Sequence, residues 1–76
     1  MKLLEQTELA ALRRYHNISQ QKMADHLGIN LRTYIYKENG QTEFKLSEMF
    51  YISQLLEKPI EEIFLSKNFM LHEVSE

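Results

Sequence analysis

The chain of 76 residues contains no cysteine, and this absence excludes disulfide bonds and zinc sites built on thiolates. Its length corresponds to a single domain, and a core of this size contributes only about 3–5 kcal/mol to stability. Pairing with a second copy is the remaining simple source of stability, so we predict a homodimer. A reducing, cytoplasmic location fits the lack of cysteine and is predicted as well.

Residues suited to catalysis or to metal binding are also scarce. Glycine occurs only at positions 28 and 40, so the chain has no glycine-rich loop for phosphate. No serine lies in a glycine-rich elbow, and His16, His26 and His72 lack the spacing of metal ligands. We therefore predict no enzymatic activity, no metal and no cofactor.

Long apolar runs are missing too, and the net charge of −2 gives no general excess of positive charge. Glu5 and Glu8 interrupt the apolar start of the chain, unlike a secretion signal, and we predict no association with a membrane. Charge is nevertheless uneven. Residues 1–45 carry seven Lys and Arg against five Asp and Glu, whereas residues 46–76 carry two Lys and six Glu. An anionic partner is therefore expected to meet the first half of the chain.

Apolar periodicity and turn residues predict short helices and no strand before residue 64. Ser19 and Asn30 are suited to cap the second and third helices, which Gly28 and Asn39-Gly40 are suited to end. The predicted helices cover about residues 3–15, 19–27, 30–39 and 45–56, with a fifth beginning near Pro59.

The periodicity also predicts which side chains face the core. The predicted inward residues are Leu4, Leu9, Ala11, Leu12, Met23, Ala24, Leu27, Leu46, Met49, Phe50, Ser53, Leu56, Ile60, Ile63 and Phe64. Ser53 lies in the middle of the fourth helix's stripe, which predicts close approach of another helix. Tyr15 and Tyr51 are expected to pack in or around the core. Arg13 and Arg14 are expected on a solvated face or in an ion pair within the chain.

The most informative segment is ISQQKMADHLGINLRTYIYKENG, residues 18–40. Two short helices meet there across a turn that contains Gly28, and the small Ala24 lets the next helix cross closely. This pattern is typical of a helix-turn-helix, whose second helix can lie in a DNA major groove about 12 Å wide.

These residues give the chain a resemblance to the lambda-repressor-like helix-turn-helix proteins, which include phage repressors, Cro-type proteins and bacterial regulators. The matching segments are LRRYHNISQQKMADHLGI (residues 12–29), TYIYKENG (residues 33–40) and LLEKPIEEIF (residues 55–64). The resemblance implies a compact, all-α, five-helix domain over residues 1–65, with its helix-turn-helix at about 19–39. Residues 66–76 would form a short C-terminal tail.

The resemblance implies a regulator of transcription, of phage, mobile-element or bacterial origin, that binds double-stranded DNA as a homodimer. Gln20 and Gln21 would meet a phosphate and support the reading helix. Arg32 is the best candidate to read a base, because a guanidinium can pair with O6 and N7 of guanine. The implied DNA contacts are Gln20, Gln21, Asn30, Leu31, Arg32, Thr33, Tyr36, Asn39, Gln41 and Lys45.

Two registers are open for the third helix. Periodicity alone turns Leu31, Tyr34 and Ile35 inward, whereas the family pattern turns Tyr34 and the stem of Lys37 inward. We favour the family register, because the glycine turn and the small residue of the second helix fix how the third helix leaves the turn. Lys37 would then bury its methylene groups and bring its charge to the surface.

In the family register Ile35 and Tyr36 are exposed, and exposed apolar pairs usually mark a contact surface. This motivates an alternative function, in which the helix-turn-helix binds a protein partner as a modulator of a repressor or as an antitoxin. The tail would either cover the small core or contact a partner. The predicted dimer or partner contacts are Ile35, Phe64, Leu65, Phe69, Met70 and Leu71.

Overall fold

A computed structural model describes residues 5–64, which form five helices and no strand. The helices are α1 (Thr7–Tyr15), α2 (Gln20–Leu27), α3 (Leu31–Glu38), α4 (Leu46–Leu56) and α5 (Ile60–Ile63). The predicted all-α, five-helix architecture is therefore confirmed. In this part of the chain, no helix combines the length and the apolar character that a bilayer crossing requires.

The ends of the helices around the turn follow local chemistry. The Ser19 hydroxyl accepts a hydrogen bond from the Lys22 N–H at 3.0 Å, and Asn30 Oδ1 accepts one from the Thr33 N–H at 2.8 Å. Each bond satisfies one of the free N–H groups at the start of a helix. Gly28 has a φ of 70°, which glycine adopts without strain and which ends α2. The predicted caps and the predicted stop at Gly28 are confirmed.

The core lies where α1, α2 and α3 meet α4 and α5. Three aromatic rings run through it, with centroids 6.0 Å apart for Tyr34 and Phe44 and 5.1 Å apart for Phe44 and Phe64. Both pairs pack edge to face, which the ring quadrupoles favour. The buried apolar cluster consists of Leu9, Met23, Ala24, Tyr34, Phe44, Ile52, Leu56, Ile63 and Phe64.

The predicted inner face of α4 is partly wrong. Leu46 and Phe50 are 61% and 56% exposed, while Glu48 and Ile52 are buried on the same face as Leu56. The buried carboxylate of Glu48 is accommodated because it has partners, which are described below. The close approach of another helix at Ser53 stays a prediction; the Ser53 hydroxyl donates a hydrogen bond to the Lys58 carbonyl, just beyond the end of α4.

Helix α1 also faces the core differently from the prediction. Ala11 is exposed, and Ala10 and Arg13 take the inner positions next to Leu9. The start predicted at residue 3 lies outside the described residues, within which the helix begins at Thr7. Tyr15 is 79% exposed, so its predicted packing is wrong; the inward position near this end of α1 belongs to the buried Arg13.

Phe64 was predicted both to pack inward and to contact a partner; the inward packing is confirmed, and burial makes the partner contact wrong. Its side chain is only 3% exposed, and its ring lies against Phe44. Phe64 is buried because the short α5 directs both Ile63 and Phe64 toward the core. The other predicted contacts of the tail, Leu65, Phe69, Met70 and Leu71, lie outside the described residues.

Candidate nucleic-acid interface

Helices α2 and α3 form the helix-turn-helix. The turn closes with hydrogen bonds from the Ile29 N–H to the Ala24 carbonyl at 3.0 Å and from the Gly28 N–H to the Asp25 carbonyl at 3.2 Å. Ala24 is fully buried, and its methyl group leaves room for α3 to cross α2. These two hydrogen bonds within the turn, together with the small side chain of Ala24, fix the direction in which α3 leaves α2.

A buried carboxylate holds α3 against α1 and α2. Glu38 accepts hydrogen bonds from Arg13 Nε at 2.9 Å, from the Tyr34 hydroxyl at 2.7 Å and from Gln20 Nε2 at 2.8 Å. Arg13 also donates to the carbonyl of Ile18 at 2.8 Å, before α2 begins. No buried side-chain nitrogen or oxygen in the described part of the chain lacks a partner, so this network is satisfied.

The network fixes the protonation states of its members. Burial raises the pKa of Glu38, but hydrogen bonds from Arg13, Tyr34 and Gln20 outweigh burial and hold that pKa below its usual value. Burial, followed by the hydrogen bond to Glu38, raises the pKa of the Tyr34 hydroxyl. Burial lowers the pKa of Arg13, but the adjacent carboxylate outweighs this effect and raises it. At neutral pH the network is therefore an ion pair bonded to a protonated hydroxyl.

A second ion pair joins α3 to α4. Lys37 Nζ lies 3.1 Å from Glu48 Oε1 and donates to the carbonyl of Glu43 at 3.0 Å. The same Glu48 oxygen accepts the Lys45 N–H at the start of α4, at 2.8 Å. Lys37 is only 8% exposed, so the prediction that its charge reaches the surface is wrong. Lys37 stays buried because two oxygen atoms satisfy its ammonium group, one on the Glu48 carboxylate and one on the Glu43 backbone.

The register of α3 is the one that the family pattern favours. Tyr34, Lys37 and Glu38 are buried, and Leu31 and Ile35 are half-buried at the edges of that inner face. Arg32 and Tyr36 are exposed, four residues apart, and lie on the side of the helix opposite the buried residues. The outward face of α3 therefore presents one cation and one phenol.

The residues predicted to contact DNA divide into two groups by exposure. The exposed ones are Gln21, Asn30, Arg32, Tyr36, Gln41 and Lys45, and the half-buried ones are Gln20, Leu31, Thr33 and Asn39. All ten belong to α2, α3 or the segments that adjoin them, up to the start of α4. Their roles in binding DNA remain predictions.

Several of these side chains already have partners within the chain. Gln20 donates to Glu38, Gln21 Nε2 donates to Asp25 Oδ1 at 3.0 Å, and Asn30 caps α3. Arg32, in contrast, makes no hydrogen bond or ion pair with any residue between 5 and 64. Its guanidinium is therefore the cation of α3 that is available to an incoming ligand.

Sequence reasoning missed Glu38, the centre of the network beneath the outward face. The ion pair that was one of two expectations for Arg13 is present, but its partner lies 25 residues away along the chain. The available signal was the position of Glu38 four residues after Tyr34, on the inner side of a helix. An acid at that position predicts a buried basic partner, because a buried lone charge is costly.

Neither a family model nor a curated protein sequence matches the chain, but two solved structures resemble it. One is the restriction-modification controller protein C.AhdI from Aeromonas hydrophila, with 24% identity and a TM-score of 0.65 over 76% of this chain and 88% of that one. The other is a transcriptional regulator from Listeria innocua, with 17% identity and a TM-score of 0.73 over 96% of this chain and 73% of that one. At these identities the likeness concerns the fold. The chain therefore shares the fold of these two structures, which agrees with the five-helix, all-α domain expected from its sequence.

Proposed function

We propose that the protein is a sequence-specific DNA-binding regulator of transcription that reads the major groove with α3. The proposal rests on the contrast between the two sides of α3, one held by buried ion pairs and the other exposed. Its inner side is fixed by Glu38 and Lys37, and its outer side presents Arg32, which has no partner among residues 5–64. A helix held in this way can position a guanidinium against a base edge without a large loss of freedom on binding.

The two similar structures support a regulatory role. One is described as a controller protein of a restriction-modification system and the other as a transcriptional regulator. Both share the fold in which the second helix of the helix-turn-helix is available to the major groove. A repressor of phage, mobile-element or bacterial origin is the form of regulator that we propose.

The direct test compares Arg32→Ala and Arg32→Lys on a DNA site selected by the wild-type protein from a random pool. If Arg32 pairs with guanine O6 and N7, both variants lose about 1–3 kcal/mol of binding free energy at that base pair, because lysine lacks the planar fork. Fluorescence anisotropy on the selected site and on a site changed at that base pair measures the loss.

Lys58→Ala is the matched control, because it removes an exposed positive charge between α4 and α5, away from the helix-turn-helix. We expect it to bind the selected site like the wild type. Retention of specificity by Arg32→Ala, with a uniform loss of affinity for all sites, would show that Arg32 contacts only phosphate. Equal binding of selected and random DNA by the wild type at low salt would refute the proposed function.

The alternative, binding of a protein partner by the same face, rests on Tyr36, which is 42% exposed. The half-burial of Leu31 and Ile35 makes the apolar part of this face smaller than the sequence predicted. For this reason we favour DNA as the ligand. Loss of a protein complex in Tyr36→Ser, with Arg32→Ala unchanged, would favour the alternative.

Pairing of two copies on a two-fold operator remains part of the proposal. Few exposed cations are available on one chain, and weak binding by a single domain is strengthened when two domains bind adjacent half-sites. Titration of the selected DNA at concentrations far above Kd gives the stoichiometry. Two chains per site are expected, and one chain per site would contradict pairing.

A further inference from the structure

Helix α4 carries an apolar face that nothing in residues 5–64 covers. Leu46 and Phe50 are four residues apart and therefore lie on one side of the helix, 61% and 56% exposed. The other large exposed apolar side chains of the described residues are tyrosines, whose hydroxyl groups can bond to water. We call Leu46 and Phe50 the α4 face.

The described part of the chain ends near the residues that lead into α4. Phe64 is its last residue, and the Phe64 ring packs 5.1 Å from that of Phe44. Phe44 precedes Leu46 by only two residues. The last described residue therefore lies close to the segment that precedes α4.

The sequence beyond that point contains apolar residues within reach. Phe69, Met70 and Leu71 follow Phe64 by five to seven residues. Five residues can span up to about 17 Å from Phe64, whose ring lies 5.1 Å from that of Phe44, two residues before Leu46. A segment tethered so closely has an effective concentration in the millimolar range, well above that of a second molecule.

The size of the α4 face also favours a short segment over a second copy. Each of its two side chains exposes on the order of 100 Å². A stable interface between two proteins buries about 800 Å² on each partner. The face is therefore too small to support a dimer alone, but it matches two or three side chains of a tethered peptide.

We propose that the apolar segment of residues 69–71 docks on the α4 face of its own chain. The tail would then complete the small core from outside and remove Leu46 and Phe50 from water. This inference is independent of DNA binding, since it involves neither the outward face of α3 nor Arg32.

The test is a double-mutant cycle on the full-length chain, followed by urea unfolding. Phe50→Ser and the pair Phe69→Ser with Met70→Ser are each expected to raise the unfolding equilibrium constant on the order of tenfold. If the segment contacts the face, the combined variant shows a smaller effect than the product of the two. Tyr15→Ser, at an exposed aromatic residue on α1, is the control, and its effect should multiply with that of the tail variant.

The wild-type chain provides a second measurement that requires no substitution. Nuclear Overhauser effects between the ring of Phe69 and the methyl groups of Leu46 are expected in a uniformly labelled sample. Effects that multiply in the cycle, together with an absence of these contacts, would overturn the proposal. Contacts that appear only between differently labelled molecules, together with a urea unfolding midpoint that rises with protein concentration, would assign the α4 face to a second copy. That result would also overturn the proposal.

Discussion

Glu38 accepts hydrogen bonds from side chains of three helices, and this makes it the residue on which the placement of α3 most depends. Its ion pair with Arg13 is buried, with side-chain exposures of 5% and 8%. The attraction in such a pair roughly offsets the cost of removing both charges from water, so the pair adds little net stability. Removing one partner is different, because the other charge then remains buried alone.

Glu38→Leu is therefore expected to lower the free energy of unfolding by about 3–5 kcal/mol. The double variant Arg13→Met with Glu38→Leu should recover most of that loss, because it leaves no buried charge. Urea unfolding of both variants measures the difference. Glu61→Leu, at an exposed residue of α5, is the control. If the double variant were no more stable than Glu38→Leu alone, the loss of stability could not come from the charge of Arg13 left buried without a partner.

The same carboxylate makes stability depend on pH. The pKa of Glu38 is lower in the folded protein than its usual value, so the unfolded chain binds more protons in the acid range. Its contribution is complete above the unfolded pKa of about 4.3 and is lost as the pH falls through the folded pKa. We expect the free energy of unfolding to fall below about pH 4.3, and less steeply in Glu38→Gln. An identical slope in wild type and Glu38→Gln would exclude Glu38 as the source.

At the scale of the element, α3 is fixed at its start by a cap and along its inner side by two ion pairs. The Asn30 cap is a local feature, and it could be predicted from the sequence because the capping side chain lies three residues from its N–H partner. The inner face of α4 could not be predicted in the same way. Periodicity counts Leu46 as inward and Glu48 as outward, but Glu48 is buried because Lys37 arrives from another helix.

The cap of α3 gives a test in which stability and DNA binding separate. Asn30→Ala is expected to cost about 1 kcal/mol of unfolding free energy, because the Thr33 N–H loses its acceptor. Asn30→Asp keeps an acceptor and adds a favourable charge at the start of the helix, so it should retain stability. On DNA, however, the aspartate should weaken binding if residue 30 lies near a phosphate. Equal stability of Asn30→Ala and wild type would show that the cap contributes little.

At the scale of the whole molecule, the net charge of −2 conceals how few cations can meet DNA. Arg13 and Lys37 are held in buried ion pairs, so they cannot contact phosphate without breaking the fold. Between residues 5 and 45 the exposed cations are Arg14, Lys22, Arg32 and Lys45. The fold could be anticipated from the sequence because its turns and caps are local. The number of exposed cations could not, because it depends on ion pairs between residues that are distant in the sequence.

The small number of exposed cations predicts a shallow dependence of DNA affinity on salt. Each phosphate neutralised contributes about −0.9 to the slope of log K against log salt concentration, so one chain should give a slope no steeper than about −4. Anisotropy titrations between roughly 50 and 200 mM salt measure it. Lys45→Gln should reduce the slope by about one if that residue meets phosphate, whereas Lys58→Gln should leave it unchanged. A slope much steeper than about −4 for each bound chain, or an equal effect of Lys58→Gln, would mean that DNA lies across a different surface from the one formed by α2 and α3.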